Sequence, residues 1–194
     1  MAERGLRADA RRNRERVLAA ARRAFAEQGY AVPLDEIAAA AGVGPGTVYR
    51  HFPTKEALFE AVSVANVQDL AADARTRADA ADPARAFTGF LDRLAEQALA
   101  KRDLPDSFAG AGADAMAAAR AEMQDALGVL LAKAQDAGGV RRDVSVTDLI
   151  ALLKGLLHVV RTDPDPDVQR RVLAVIRDGL RPKDGSGSTF RPIR

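Results

Sequence analysis

Apolar residues recur along this chain at intervals of three and four, the spacing that lines one face of an α-helix. Val17, Leu18, Ala21, Ala24 and Phe25 trace such a face, with Gln28 in register, and predict a helix from about Ala10 to Gln28 that stops at Gly29. Two short segments come next: Leu34 to Ala41, closed by Gly42-Val43-Gly44, and Pro45 to His51, closed by Phe52-Pro53. Thr54 opens a longer helix that carries Leu58, Phe59, Val62, Ala65 and Leu70 towards Ala80. Beyond Asp82-Pro83, the stretch from Ala84 to Arg102 aligns Phe87, Phe90, Leu91, Leu94 and Ala98. Leu104-Pro105 breaks it, and a Gly/Ala-rich run from Ser107 to Ala113 leads to a helix from Ala115 to Ala137 with Met116, Met123, Leu127, Leu130 and Leu131 inward. Gly138-Gly139 ends that helix, and Ser145 or Thr147 can cap the next, whose run from Leu149 to Val160 is the most apolar in the chain. Asp163-Pro164-Asp165-Pro166 is a sharp break, and Asp167 to Leu180 forms the last helix, with Val168, Val172, Val175, Ile176 and Leu180 in register. Residues 182–194 are rich in Gly, Ser and Pro and read as a disordered tail. Clusters of β-branched and aromatic residues at alternating spacing are scarce, so the chain reads as all-α with about nine helices and no internal repeat.

Composition narrows the function classes. The 194 residues suffice to bury a core without staples. The absence of Cys excludes disulfides, thiol chemistry, Cys-ligated zinc and iron–sulfur clusters, and two His leave little for a metal site. No cofactor is expected. No run of 18 apolar residues offers a membrane span, and the N-terminus has no apolar leader, so the expectation is a soluble cytoplasmic protein. Alanine and arginine are abundant, which reads mostly as compositional background, although alanine also favours helix. The net charge is only +2. That balance hides an asymmetry: the first 23 residues hold eight arginines (positions 4, 7, 11, 12, 14, 16, 22 and 23) against Glu3, Asp9 and Glu15. A basic head therefore precedes a slightly acidic body, and for nucleic-acid binding the location of charge matters more than its total.

Two short helices separated by a glycine-containing turn describe a helix-turn-helix. Ala38 is small where the second helix must cross closely, Gly42 suits a turn with positive φ, and Val43 and Val48 fill the angle between the helices. Spacing alone fits a DNA-reading unit and a purely architectural corner equally.

The stretch Gly42-Val43-Gly44-Pro45-Gly46-Thr47-Val48-Tyr49-Arg50-His51-Phe52-Pro53-Thr54-Lys55-Glu56-Ala57-Leu58-Phe59 closely resembles the TetR family of bacterial transcriptional regulators. Ala24-Phe25-Ala26-Glu27-Gln28-Gly29-Tyr30 and Asp35-Glu36-Ile37-Ala38 fit the same pattern, and the resemblance spans residues 12 to 60. It implies a three-helix DNA-binding domain over residues 10–53, preceded by a flexible basic arm over residues 1–9. A helical ligand-binding and dimerisation domain is expected over residues 54–181. Pro45 fits the first turn of a recognition helix, where its missing N–H costs nothing. Gly46 lets backbone and phosphate or base edge approach, and Thr47 can donate to phosphate or pack its methyl on thymine. Tyr49 suits a phosphate or a thymine methyl, Arg50 a DNA contact or a solvated position, and His51 a phosphate. Lys55, in the first turn of the next helix, is placed to join that helix's N-terminal amides at the phosphate backbone. Phe52 is expected to be structural, buried between the first and fourth helices. Two positions depart from the family pattern: Pro33 and Gly44 stand where a hydroxyl residue is common, which removes possible phosphate contacts.

The second half matches the family in layout only. Packing of the last two helices against a second copy is expected through Leu149, Leu153, Leu156 and Val160 on one and Val172, Ile176 and Leu180 on the other. A homodimer would read a palindromic operator in double-stranded DNA, with half-sites about 34–36 Å apart. By resemblance, the middle helices hold a pocket for a small-molecule effector, with Phe87, Phe90, Leu94, Phe108, Met116, Met123, Leu127 and His158 as candidate liners. No nucleophile–base pair, phosphate loop or metal-ligand spacing marks an enzyme. The expectation is a ligand-released regulator, a repressor by family habit. The competing reading is an all-α protein-interaction module without specific DNA binding.

Overall fold

The computed structural model describes residues 2–99, 112–163 and 165–182. Among these residues the protein is wholly helical: α1 (Ala2–Gln28), α2 (Leu34–Ala41), α3 (Pro45–His51), α4 (Lys55–Ala78), α5 (Pro83–Leu99), α6 (Ala113–Asp136), α7 (Val146–Thr162) and α8 (Pro166–Leu180). Eight helices are thus observed where about nine were expected. The first begins at Ala2, not Ala10, because Ala2, Glu3, Arg4 and Ala8 favour helix and no cap or proline separates the basic segment from the rest of α1. The expected Gly/Ala-rich stretch up to residue 111 and the tail from 183 onwards lie outside the described residues.

Two apolar cores form. The smaller one gathers Val17, Ala21 and Phe25 of α1, Ile37 and Ala38 of α2, Val48 of α3, and Phe52, all buried. The larger one gathers Phe87, Phe90 and Leu91 of α5, Leu127, Leu130 and Leu131 of α6, Leu149, Leu153, Leu156 and Val160 of α7, and Ile176 and Leu180 of α8. The helix α4 belongs to both. Its first half buries Leu58, Phe59 and Val62 in the smaller core, and its second half buries Ala71, Ala74 and Ala78 in the larger. Thr54 starts it as N-cap, accepting the Ala57 N–H through Oγ1 at 3.1 Å.

The helix α6 runs parallel to α4 and makes the most extensive interhelical contact with it. Three polar ties join the pair in order. The Glu60 carboxylate accepts the Gly112 N–H at 3.2 Å, Arg75 faces Glu122 at 3.5 Å, and Lys133 donates to Asp79 at 2.9 Å. Asp73 of α4 sits between Arg77 of its own helix (2.7 Å) and Arg93 of α5 (3.0 Å).

Turns near the far end are fixed by amides. Gln135 donates to the Arg141 and Val144 carbonyls at 2.9 and 2.8 Å. Gln169, buried on α8, donates to the Val160 and Asp163 carbonyls at 3.3 and 2.8 Å and so closes the end of α7. Ser145 and Asp148 form a reciprocal capping box at the start of α7.

Gly139 lies where the loop after α6 meets the start of α5. A Cβ there would overlap the Ala84 side chain and come within 3.0 Å of its Cα. Gly139→Ala is therefore expected to lower stability by about 1–3 kcal/mol, the usual scale for forced overpacking. That corresponds to a drop in the thermal midpoint of roughly 2–4 °C per kcal/mol for a domain of this size. An unchanged melting curve contradicts the close approach.

Candidate nucleic-acid interface

The helix-turn-helix rests on a left-handed residue. Gly42 has φ 63° and ψ 39°, and its N–H returns to the carbonyls of Ala38 and Ala39 to end α2. The Arg16 guanidinium of α1 donates to the Gly42 carbonyl at 3.0 Å, and a Cβ on Gly42 would lie 2.5 Å from that guanidinium. Pro33 and Gly44 precede α2 and α3 with extended backbone and no side-chain cap, as their lack of a hydroxyl requires. Pro45 then occupies the first turn of α3, and Val48, fully buried, fastens the helix to the core below.

With Val48 turned inward, Pro45, Gly46, Tyr49 and Arg50 face out. Gly46 is exposed with open space where a Cβ would be, Tyr49 is 49% exposed, and Arg50 is exposed. Thr47 and His51 lie along its edges, His51 half-buried. Phe52 ends α3, donates its N–H to the Val48 carbonyl at 2.8 Å, and is buried as expected. The Arg14 guanidinium lies over its ring, 5.3 Å from the centroid.

Lys55 begins α4 beside this helix, half-buried, with Nζ 4.8 Å from the centroid of the Tyr30 ring. The same ring packs on Phe25 (6.0 Å, stacked) and Phe59 (5.3 Å, edge-on). Its hydroxyl donates to Glu56 Oε1 at 2.9 Å. Burial and this carboxylate push the Tyr30 hydroxyl from 10.0 up to about 12. Glu56 is held below the usual carboxylate range by its own backbone N–H and by the Tyr30 and Thr54 hydroxyls.

Gly46, Thr47, Tyr49, Arg50 and His51 are thus presented by one short helix, and Lys55 begins the next. Three arginines of α1 have partners within the molecule. Arg14 and Arg16 hold Phe52 and Gly42, and Arg22 pairs with Asp69 of α4. The sequence shows these cations but not their reach, because each partner lies more than 25 residues away.

Five of the eight expected effector liners belong to the larger core. Phe87, Phe90 and Leu127 are buried in the close-packed larger core, with Leu94 and Met123 packed against it. Met116 is half-buried near the start of α6, and Phe108 lies outside the described residues. His158 is exposed: it sits two positions from Leu156, about 200° round α7, and so faces away from the core. A groove of about 390 Å³ runs beside Phe87 and Leu91, rimmed by Arg85, Arg177 and Arg181. Among the described residues no group of three or more metal-ligating side chains occurs.

The expected partner-facing residues need correction. Leu149, Leu153, Leu156, Val160, Ile176 and Leu180 are buried in the chain's own core, and Val172 packs against it. The large apolar residues that α7 and α8 leave open are Leu152 (41% exposed), Leu157 (43%) and Val175 (70%). A helix apolar around most of its circumference has two greasy faces, and periodicity alone does not say which one the chain covers itself.

Comparison with known proteins agrees with this architecture. Residues 17–62 match the family model for bacterial regulatory proteins of the tetR family. Residues 82–182 match the model for the C-terminal domain of SbtR-like transcriptional regulators. A TetR transcription regulatory protein from Mycobacterium vanbaalenii is 45% identical over 91% of this chain and 99% of its own, with a TM-score of 0.71. The TetR transcriptional regulator SCO0520 from Streptomyces coelicolor is 35% identical over 88% of this chain and 99% of its own, with a TM-score of 0.67. RolR in complex with resorcinol shares the fold at 23% identity, over 89% of each chain, with a TM-score of 0.54. No curated protein sequence matches the chain.

The Tyr30 hydroxyl gives a pH signature. Its folded value lies above its unfolded value, so it stabilises fully below pH 10 and the contribution is lost as pH rises towards about 12. The stability difference between the parent and Tyr30→Phe is expected to be constant from pH 6 to 9 and to shrink across that alkaline window, measured by urea unfolding. A difference that stays flat to pH 12 contradicts the assigned hydrogen bond.

Proposed function

The chain belongs to the TetR family of bacterial regulatory proteins, and from that membership we propose that it binds a specific palindromic operator as a homodimer, represses transcription there, and is released by a small-molecule effector. The observation that carries the reading is α3 itself, anchored by buried Val48 while Gly46, Tyr49 and Arg50 stand clear of the body. A helix so held fits the major groove, with Gly46 and Thr47 near base edges. Tyr49, His51 and Lys55 lie where phosphates flank that groove. One helix of seven residues reads too few base pairs to select one site, so a second copy is required.

The outer faces of α7 and α8 suit that second copy. Leu152, Leu157 and Val175 are large apolar residues exposed to water, and joining them to their symmetry mates removes that surface. The effector is expected among α5, α6 and α7. The occurrence of resorcinol with RolR supports a small molecule as the class of signal for this fold. The shared helix α4 supports the link from body to head, since a displacement of its body half moves Lys55 and the base of α3. Whatever weakens DNA binding is then itself bound less tightly on DNA.

Selection from random duplexes is expected to recover one palindrome, and no enrichment contradicts the reading. The double variant Tyr49→Ala with Lys55→Ala is expected to lose selective binding while the protein still folds, as checked by its circular dichroism and a cooperative melting transition. Full retention of selectivity refutes the assigned face. Val175→Glu is expected to halve the mass seen by light scattering at micromolar concentration, because a charge placed in an apolar interface has no partner. An unchanged mass places the interface elsewhere.

A further inference from the structure

We infer that Tyr30 is a positioning residue for DNA binding, one that keeps the Glu56 carboxylate from neutralising Lys55. The inference rests on the reading of α3 and Lys55 as the DNA face.

The first turn of α4 presents a cation and an anion side by side, Lys55 and Glu56. An acidic residue there serves the helix, because it complements the positive end of the helix dipole. It does not serve DNA binding, because a mobile carboxylate next to Lys55 both repels phosphate and competes with it for the ammonium. The structure resolves this conflict with one aromatic ring. Its face takes the Lys55 ammonium at 4.8 Å, and its hydroxyl, at the edge, takes Glu56 Oε1 at 2.9 Å. Face and edge are perpendicular, so the two charges are held on different sides of the same residue. The ring cannot turn away, because Phe25 stacks on it and Phe59 meets it edge-on. The carboxylate is thereby tethered towards the protein. The ammonium rests on a half-buried cation–π contact, individually weak, that a phosphate can replace.

The test uses the full-length protein and the duplex recovered by selection, with affinity measured against salt by fluorescence anisotropy. Tyr30→Phe keeps the ring and its packing and removes only the hydroxyl. It is expected to weaken operator binding about three- to tenfold, the scale of one exposed charge interaction per protomer. The slope of log K against log salt is expected to fall towards that of Lys55→Ala, by about 0.9 for each phosphate no longer neutralised. Adding Glu56→Gln to Tyr30→Phe is expected to return affinity and slope to the parent values or above, whereas damage to packing would not be repaired by that change. In a Lys55→Ala background, Tyr30→Phe is expected to add nothing. An unchanged slope in Tyr30→Phe, or a weakening that Glu56→Gln does not reverse, overturns the inference. If Lys55→Ala itself binds the operator with the parent's affinity and slope, the assignment of the DNA face fails instead.

Discussion

The whole arrangement depends on one helix being buried at both ends in different cores. In its first half α4 offers Leu58, Phe59 and Val62 to the head, and in its second half Ala71, Ala74 and Ala78 to the body. The change from bulky to small side chains matches the neighbour. The head is built around aromatic rings that need volume beside them. In the body, α6 lies parallel to α4 and brings its own buried alanines, Ala119, Ala126 and Ala134. Small residues on both helices allow the backbones to come close, and the ties from Glu60, Arg75 and Asp79 fix their register. A helix so committed transmits displacement instead of absorbing it, because packed cores do not deform continuously.

Charge in the head serves architecture before it serves recognition. Arg14 covers Phe52, Arg16 secures the left-handed turn at Gly42, and Arg22 joins α1 to α4 through Asp69. The basic excess of the first 23 residues is therefore partly used inside the molecule. Tyr30 likewise meets two charges, the Lys55 ammonium over its ring and the Glu56 carboxylate at its hydroxyl.

Most of the helix order was legible from spacing and punctuation. Thr54 and Ser145 act as caps, Gly42 takes positive φ, and Val48 and Phe52 are buried as their positions predict. The features that were not legible depend on distance in space. Nothing local in the sequence tells that Arg16 reaches Gly42, that Glu60 meets Gly112, or that alanines on α4 and α6 form a seam and are not merely compositional background. The partner face of α7 was misread for a related reason. Leu149, Leu153, Leu156 and Val160 form the cleanest stripe, and the cleanest stripe is the one the chain buries in itself. The residues of the proposed DNA-facing edge were legible as residue types, because they lie within ten positions of one another and one short helix presents most of them.

The central claim is that two copies of α3 enter successive major grooves on one face of a duplex. Hydroxyl-radical footprinting on the selected duplex tests it most directly. The account predicts two protected patches related by the palindrome's axis, centred about one helical turn or a small multiple of it apart. A single protected patch, or protection spread evenly along the duplex, contradicts it.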